Sequence, residues 1–351
     1  MPFVLDALVR PNIRRLRPYS SARHEFKGVA EVYLDANESP YDTGLNRYPD
    51  PLQLEVKRAL GAYKNVPVDR IFLGNGSDEA IDLLLRIFCA PGRDAVITLP
   101  PTYGMYRVSA DINDVAVREV PLDGNFQVDI AGVKAASDAT TKLLFICSPN
   151  NPTGNAIDPA TIESLCNDFA GIVVVDEAYI DFSAARSATA LLDRYENLVV
   201  LQTFSKAWGL AGARLGMAFA SPAIVALFNR VKPPYNVNQL TQAAALEALR
   251  HADRTERWIA ELLAERARLR SALEALPLTR AVYPSDANFL LVRYDDPVAL
   301  YDHLVRQRVV VRDRSKVLGC AGCLRFTVGT PAENERLLAG LRSFAPLSTT
   351  T

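Results

Sequence analysis

From about residue 70 to 220 the chain repeats one pattern: a short apolar run, a turn-forming motif, then a segment of helical period. Six runs carry it, over 71–73, 95–99, 115–120, 143–146, 172–175 and 198–201. The run Ile172-Val173-Val174-Val175 has no polar alternation, which fits a strand covered on both faces. Strands of that kind alternating with helices predict an α/β fold built on a wound, mostly parallel sheet. Open sheets of this type place ligands beyond the carboxyl ends of their strands. The residues after each run are therefore the first candidates for function.

After the run at 198–201 comes Thr203-Phe204-Ser205-Lys206-Ala207-Trp208-Gly209-Leu210-Ala211-Gly212-Ala213-Arg214. A desolvated lysine amine condenses with an aldehyde, and Thr203, Ser205 and Arg214 are suited to hold a phosphate nearby. Together they describe a pyridoxal phosphate site. The run at 172–175 ends in Asp176-Glu177-Ala178-Tyr179, a carboxylate that needs a positive partner or a shifted pKa. The run at 143–146 leads into Cys147-Ser148-Pro149-Asn150-Asn151-Pro152-Thr153-Gly154, where two prolines restrict the backbone around the asparagines. The run at 71–73 precedes Gly74-Asn75-Gly76-Ser77-Asp78-Glu79 and a helix with Ile81, Leu84, Leu85 and Phe88 on one face. Such a turn lets backbone and a helix N-terminus approach an anion, but it lacks the P-loop lysine and the dinucleotide spacing. Pro100-Pro101-Thr102-Tyr103-Gly104-Met105-Tyr106 follows the run at 95–99 and offers Tyr103 to stack on a flat ring. Taken singly, each motif also reads as a turn or as packing. The convergence of Asn151, Asp176 and Lys206 at three strand ends points to one site.

Composition narrows the remaining classes. With 351 residues, 49% hydrophobic and 23% charged, the chain has enough apolar content for one large core and a second domain. A formal net charge of −1 disfavours a general nucleic-acid binder and leaves room for small anions. Residues 4–9 are interrupted by Asp6, and the arginines follow them, unlike a signal peptide. No window approaches the roughly 20 apolar residues of a membrane span, so a cytoplasmic enzyme is expected. Five cysteines argue against a disulfide framework. Cys320-Ala-Gly-Cys323 has metal or redox spacing, but with no second pair and scattered histidines, buried thiols are the expectation over zinc.

Outside the repeating region, residues 1–41 read as an arm with little helical period. Helices are expected over 52–60, 129–136, 239–249 and 254–276, the last with Trp258, Leu262, Leu263, Leu269 and Leu273 on an apolar stripe. Asp158-Pro159 should start another helix and Gly171 end it. A smaller α/β unit follows, with strands over 289–292, 309–312 and 324–328 and helices over 297–307 and 331–344. The expected division is an arm at 1–45 serving the small domain and a dimer contact, a large cofactor domain at 46–250, and a small domain at 251–351.

Residues 203–212 resemble the lysine signature of the class II aminotransferases of fold type I. With Asn151-Pro152-Thr153-Gly154 and Asp176-Glu177-Ala178-Tyr179 in order, nearly the whole chain resembles the histidinol-phosphate aminotransferase family. Pro11-Asn12-Ile13, Pro18-Tyr19, Asn37-Glu38-Ser39-Pro40, Arg47-Tyr48-Pro49 and Leu324-Arg325-Phe326-Thr327-Val328-Gly329-Thr330 extend the likeness. The resemblance implies the fold of pyridoxal-phosphate-dependent transferases of type I, and a role for each motif. Lys206 would bond to the cofactor aldehyde and then move a proton, and Asp176 would pair with the pyridinium nitrogen. Tyr179 and Asn151 would bond its phenolic oxygen, and Tyr103 would stack on the ring. Gly76, Ser77, Asp78, Thr203, Ser205 and Arg214 would hold the phosphate, joined by Tyr48 from the second subunit of a homodimer. Arg325 would grip the substrate anion, helped by Arg312, Tyr19 and Asn37, with 2-oxoglutarate as amino acceptor. An aromatic amino acid aminotransferase, a threonine-phosphate decarboxylase and a sensing domain of a transcription regulator share parts of the pattern. The last is disfavoured by the lack of a preceding DNA-binding segment.

Overall fold

The six apolar runs become strands β1 (Ile71–Asn75), β2 (Ala95–Thr98), β3 (Ala116–Glu119), β4 (Thr141–Cys147), β5 (Ile172–Asp176) and β6 (Leu198–Thr203), and a seventh strand, β7 (Leu215–Ala220), joins them. The computed structural model describes residues 3–18 and 31–345. The strands form one sheet in the order β1-β7-β6-β5-β4-β2-β3. Strands β2 to β6 run parallel, while β7 is antiparallel to both its neighbours. Successive side chains of a strand point to opposite faces, and here both faces are dry. Ile172 and Val174 pack into one core with Phe72, Phe145 and Phe228, and Val173 and Val175 into another with Leu73, Ile146 and Phe219. Each such side chain, fully buried, contributes about 1.5–3 kcal/mol.

Strand β7 is absent from the sequence reading, because no helix separates it from β6. The chain turns instead through a short 3₁₀ segment, Ala211–Ala213, and a left-handed Arg214 with φ 55°. It then returns beside β6. Gly216 makes this possible: a Cβ there would lie 2.1 Å from the Ser77 nitrogen.

The second sheet, in the order β10-β11-β9-β8, is wholly antiparallel, with β8 (Ala281–Val282), β9 (Phe289–Arg293), β10 (Arg312–Asp313) and β11 (Cys323–Thr327). One face, with Leu290, Val292, Leu324 and Phe326, packs on the helices Ala252–Glu274, Pro297–Arg306 and Pro331–Arg342. Its other face carries Leu291 and Arg325, paired directly across β9 and β11. The two sheets are tied by Ala156 N–H donating to Asp286 at 2.9 Å and by Arg266 donating to the carbonyls of Phe182 and Ala287.

Several local expectations are corrected. The N-terminal arm holds two short helices, Leu5–Leu8 and Pro11–Arg15. The helix expected from residue 52 spans Leu54–Lys64, because the Asp50 carboxylate accepts from Leu52 and Leu54 N–H and Gln53 is left-handed. Gly171 does not end the preceding helix, which stops at Asp168. It sits against β4, where a Cβ would meet the Lys142 carbonyl at 2.4 Å. Trp258 leaves the apolar stripe, 40% exposed under Arg254. The strand expected at 309–312 is only Arg312–Asp313. All five cysteines are free and buried.

Candidate active site

The carboxyl ends of β4, β5 and β6 open into a pocket. Asn151, Asp176, Tyr179, Thr203, Ser205 and Lys206 reach it from these strand ends. Gly76, Ser77, Asp78, Tyr103 and Arg214 line it from the neighbouring elements.

Asp176 is the most buried of the charged groups in this pocket. Desolvation pushes its carboxyl up to about 6, against the opposing pull of Tyr106 and the Ala178 N–H. The Tyr106 hydroxyl donates to one carboxylate oxygen at 2.7 Å, and Ala178 N–H donates to the other at 3.1 Å. Tyr106 is itself fully buried, stacked on Phe145 with centroids 4.7 Å apart. Glu177, the residue after Asp176 at the end of β5, faces the other side of the sheet, as alternation requires. There it accepts from the Ser187 hydroxyl, Ala188 N–H and Gln202, and burial raises it to about 7.

Lys206 stands 5.4 Å from the Tyr179 ring centroid. Lys206 lines the pocket and is exposed. The surrounding protein, and Arg325 next, still lower its pKa. Asn151 donates to the Tyr179 hydroxyl at 3.4 Å and accepts from Arg325. Burial raises the Tyr179 phenol, with Arg325 pulling the other way.

The far end of the pocket is built for an anion. Gly76 has φ 71°, and a Cβ on it would lie 2.7 Å from the Arg214 guanidinium. Gly76 opens the helix Gly76–Phe88, whose N-cap residue Asn75 makes no side-chain capping bond, while Glu79 accepts from the Asn75 N–H. Asp78 at this end pairs with Arg214 at 3.3 Å and accepts from the Tyr103 hydroxyl at 3.1 Å. The Thr203 hydroxyl donates to Ser205 at 3.0 Å.

Residues 21–341 match the model of the aminotransferase class I and II family. The chain belongs to that family. This aminotransferase is 54% identical over 348 residues to a histidinol-phosphate aminotransferase of Cytophaga hutchinsonii, covering 98% of this chain and 100% of the relative. It is likewise 54% identical over 339 residues to one from Parabacteroides distasonis, with 97% and 98% covered. Its fold matches the histidinol-phosphate aminotransferase of Sinorhizobium meliloti in complex with pyridoxal-5'-phosphate. The TM-score is 0.77, with 24% identity over 85% of this chain and 84% of the other. The aminotransferase thus has the expected fold, a large, mostly parallel wound sheet with a smaller α/β part.

The donor set of this aminotransferase fits pyridoxal phosphate. A buried carboxylate with both oxygens held suits a cationic ring nitrogen. The glycine turn, the helix start, two hydroxyls and Arg214 suit a phosphate, and Lys206 suits an aldehyde.

Not every expected residue enters the pocket. Tyr48 stacks on Tyr235 at 4.4 Å and shares a different groove with Asn37, where the Glu38 carboxylate accepts from Tyr48 N–H and Arg47. Within one chain, Tyr48 and Asn37 are therefore apart from Lys206. Arg325 approaches from the small sheet, its guanidinium 5.0 Å from the Phe289 centroid. Arg312 is exposed and lies opposite Arg325 across β10 and β11. Tyr19 lies outside the described residues. Sequence reasoning missed Tyr106 as the partner of Asp176; its spacing of three from Tyr103 on a helix-starting segment was the available signal. It also missed Arg314, two residues beyond Arg312 and so on the same face of an extended segment.

Proposed function

We propose that this aminotransferase transfers the amino group of L-histidinol phosphate to 2-oxoglutarate, giving imidazole acetol phosphate and L-glutamate, with pyridoxal phosphate as cofactor in histidine biosynthesis. The observation that carries the reading is the meeting of Lys206 and Asp176 in one pocket, with Arg325 bonded to Asn151 on its wall and Asn151 in turn bonded to Tyr179. The names of relatives at 54% identity support the substrate.

Bound pyridoxal phosphate supplies the aldehyde that receives the amino group and a ring that takes up electrons from the substrate carbon. Lys206 would take the proton from substrate Cα and return it, a task suited to an amine with a lowered pKa. Asp176 would keep the ring nitrogen protonated, and Tyr179 and Asn151 would hold the phenolic oxygen. Tyr103 covers the ring. Gly76, Ser77, Asp78, Thr203, Ser205 and Arg214 hold the phosphate. Arg325, with Arg312 and Tyr19, binds the anionic end of each substrate in turn, while Asn37 stands with Tyr48 in the separate groove.

Tyr48 of the partner subunit completes the phosphate site in a homodimer, which accounts for its distance from Lys206 in its own chain. The division at about residues 45 and 250 separates arm, cofactor domain and substrate-closing domain. No helix among the described residues is long and apolar enough to cross a membrane, in keeping with a cytoplasmic enzyme. The deciding experiment compares kcat/KM for L-histidinol phosphate and phenylalanine, each with 2-oxoglutarate. A preference for phenylalanine, or carbon dioxide release without keto acid, would overturn the reading.

A further inference from the structure

We propose that Arg314 is a specificity-determining residue, the third guanidinium of an anion subsite with Arg325 and Arg312 that favours a phosphate monoester over a carboxylate. The proposal rests on the transamination reading above and adds a residue that reading does not use.

Three observations place Arg314 there. Arg312 pairs with Arg325 across β10 and β11, and the Arg314 N–H continues the ladder by donating to the Cys323 carbonyl at 3.0 Å. Alternation then puts Arg312, Arg314, Cys323 and Arg325 on one face, and that face is the one turned away from the helices that cover Leu324 and Phe326. The loop beyond Arg314 reaches the large sheet, where Gly319 sits beside Pro101 and Phe126, at the start of the segment that carries Tyr103. Finally, the Nε atoms of Arg314 and Arg325 are both buried without a hydrogen-bond partner.

The charge balance gives the class of ligand. Among the described residues, no carboxylate forms an ion pair with Arg312, Arg314 or Arg325. The guanidiniums instead act on one another: burial, then Arg325 and Arg312, lower the pKa of Arg314. Both Arg325 and Arg314 also act on the Tyr179 phenol, which lines the cofactor pocket. Three converging cations without a counter-charge are a poor match for a single carboxylate. A phosphate monoester carries about −1.5 to −2 at neutral pH and three acceptor oxygens, enough for several forked donors. Arg325, already bonded to Asn151, serves both substrates of the cycle; Arg314 adds the charge that only the phosphate needs.

The test uses the cofactor-loaded enzyme with Arg314→Gln and Arg314→Lys. The readouts are kcat/KM for L-histidinol phosphate, the same for unphosphorylated L-histidinol, and the half-reaction with L-glutamate. Arg314→Gln should lower the ratio of histidinol phosphate to glutamate efficiency about tenfold or more, the effect of one lost charge-assisted contact, with histidinol changing no more than glutamate. Arg314→Lys should recover part of that loss, since it keeps the charge without the fork. Equal losses on all three substrates, or no loss on the phosphorylated one, would overturn the proposal. If Arg314→Gln does not fold, Arg314→Lys carries the comparison alone. If the wild type ignores histidinol phosphate, the substrate reading fails separately. Inhibition of the glutamate half-reaction by phenyl phosphate, weakened or not in Arg314→Lys, then decides the role of Arg314.

Discussion

Tyr106→Phe removes one oxygen and leaves the ring stack on Phe145 in place, so it isolates the hydrogen bond to Asp176. Both partners are buried, and a hydrogen bond to a charged group is worth about 1.5–3 kcal/mol. At 1.36 kcal/mol per pKa unit, losing it should raise the Asp176 carboxyl by about one to two units. The starting value is about 6, so the variant should titrate at about 7 to 8. A protonated Asp176 has no charge to offer the ring nitrogen, so cofactor affinity falls on the acid side of this pKa. At pH 7 the ionised fraction should drop from about nine-tenths to between about a half and a tenth. The assay is a pyridoxal phosphate titration of apoenzyme from pH 5 to 9, followed by absorbance. The acid limb should move upward in Tyr106→Phe and converge with the wild type at high pH. A uniform loss at every pH would mean that Tyr106 only packs. Overlapping limbs in a folded variant would refute the assignment.

Three further outcomes are expected. Lys206→Ala should abolish turnover and the borohydride-fixed link between cofactor and chain while leaving thermal unfolding near wild type; retained activity would dismiss the lysine from its role. Glu177 titrates at 4.5 ordinarily and about 7 when folded, so the native state holds a proton that the unfolded chain gives up between these values. Its stability contribution is complete below pH 4.5 and declines by about 3 kcal/mol as pH rises through 7. Glu177→Gln should flatten that window in urea denaturation at pH 4.5 to 8, and an unchanged slope would count against the shift. Gly216→Ala should destabilise by about 1–3 kcal/mol and weaken cofactor binding, since its Cβ falls 2.1 Å from Ser77 N and 2.2 Å from Gly76 C. A normal melting temperature with normal affinity would show that β7 has room to shift.

The sequence by itself determined the parallel core and the strand ends that matter. Apolar runs such as 172–175 demand cover on both faces, and the polar residues just past their ends, Asp176 and Lys206, fall where such a sheet binds ligands. Those are local properties, legible from composition and order. Only the tertiary structure decided which groups meet across large sequence distances. It set Tyr106 against Asp176 and turned Glu177 to the opposite face. It laid β7 back beside β6 through a turn that carries no helix signal. It also gathered Arg312, Arg314 and Arg325 on one sheet face and left Tyr48 and Asn37 in a groove apart from Lys206. The reason is physical: hydrophobic periodicity fixes which way each strand's side chains point, but charge pairing and burial depend on what another strand or helix brings opposite them.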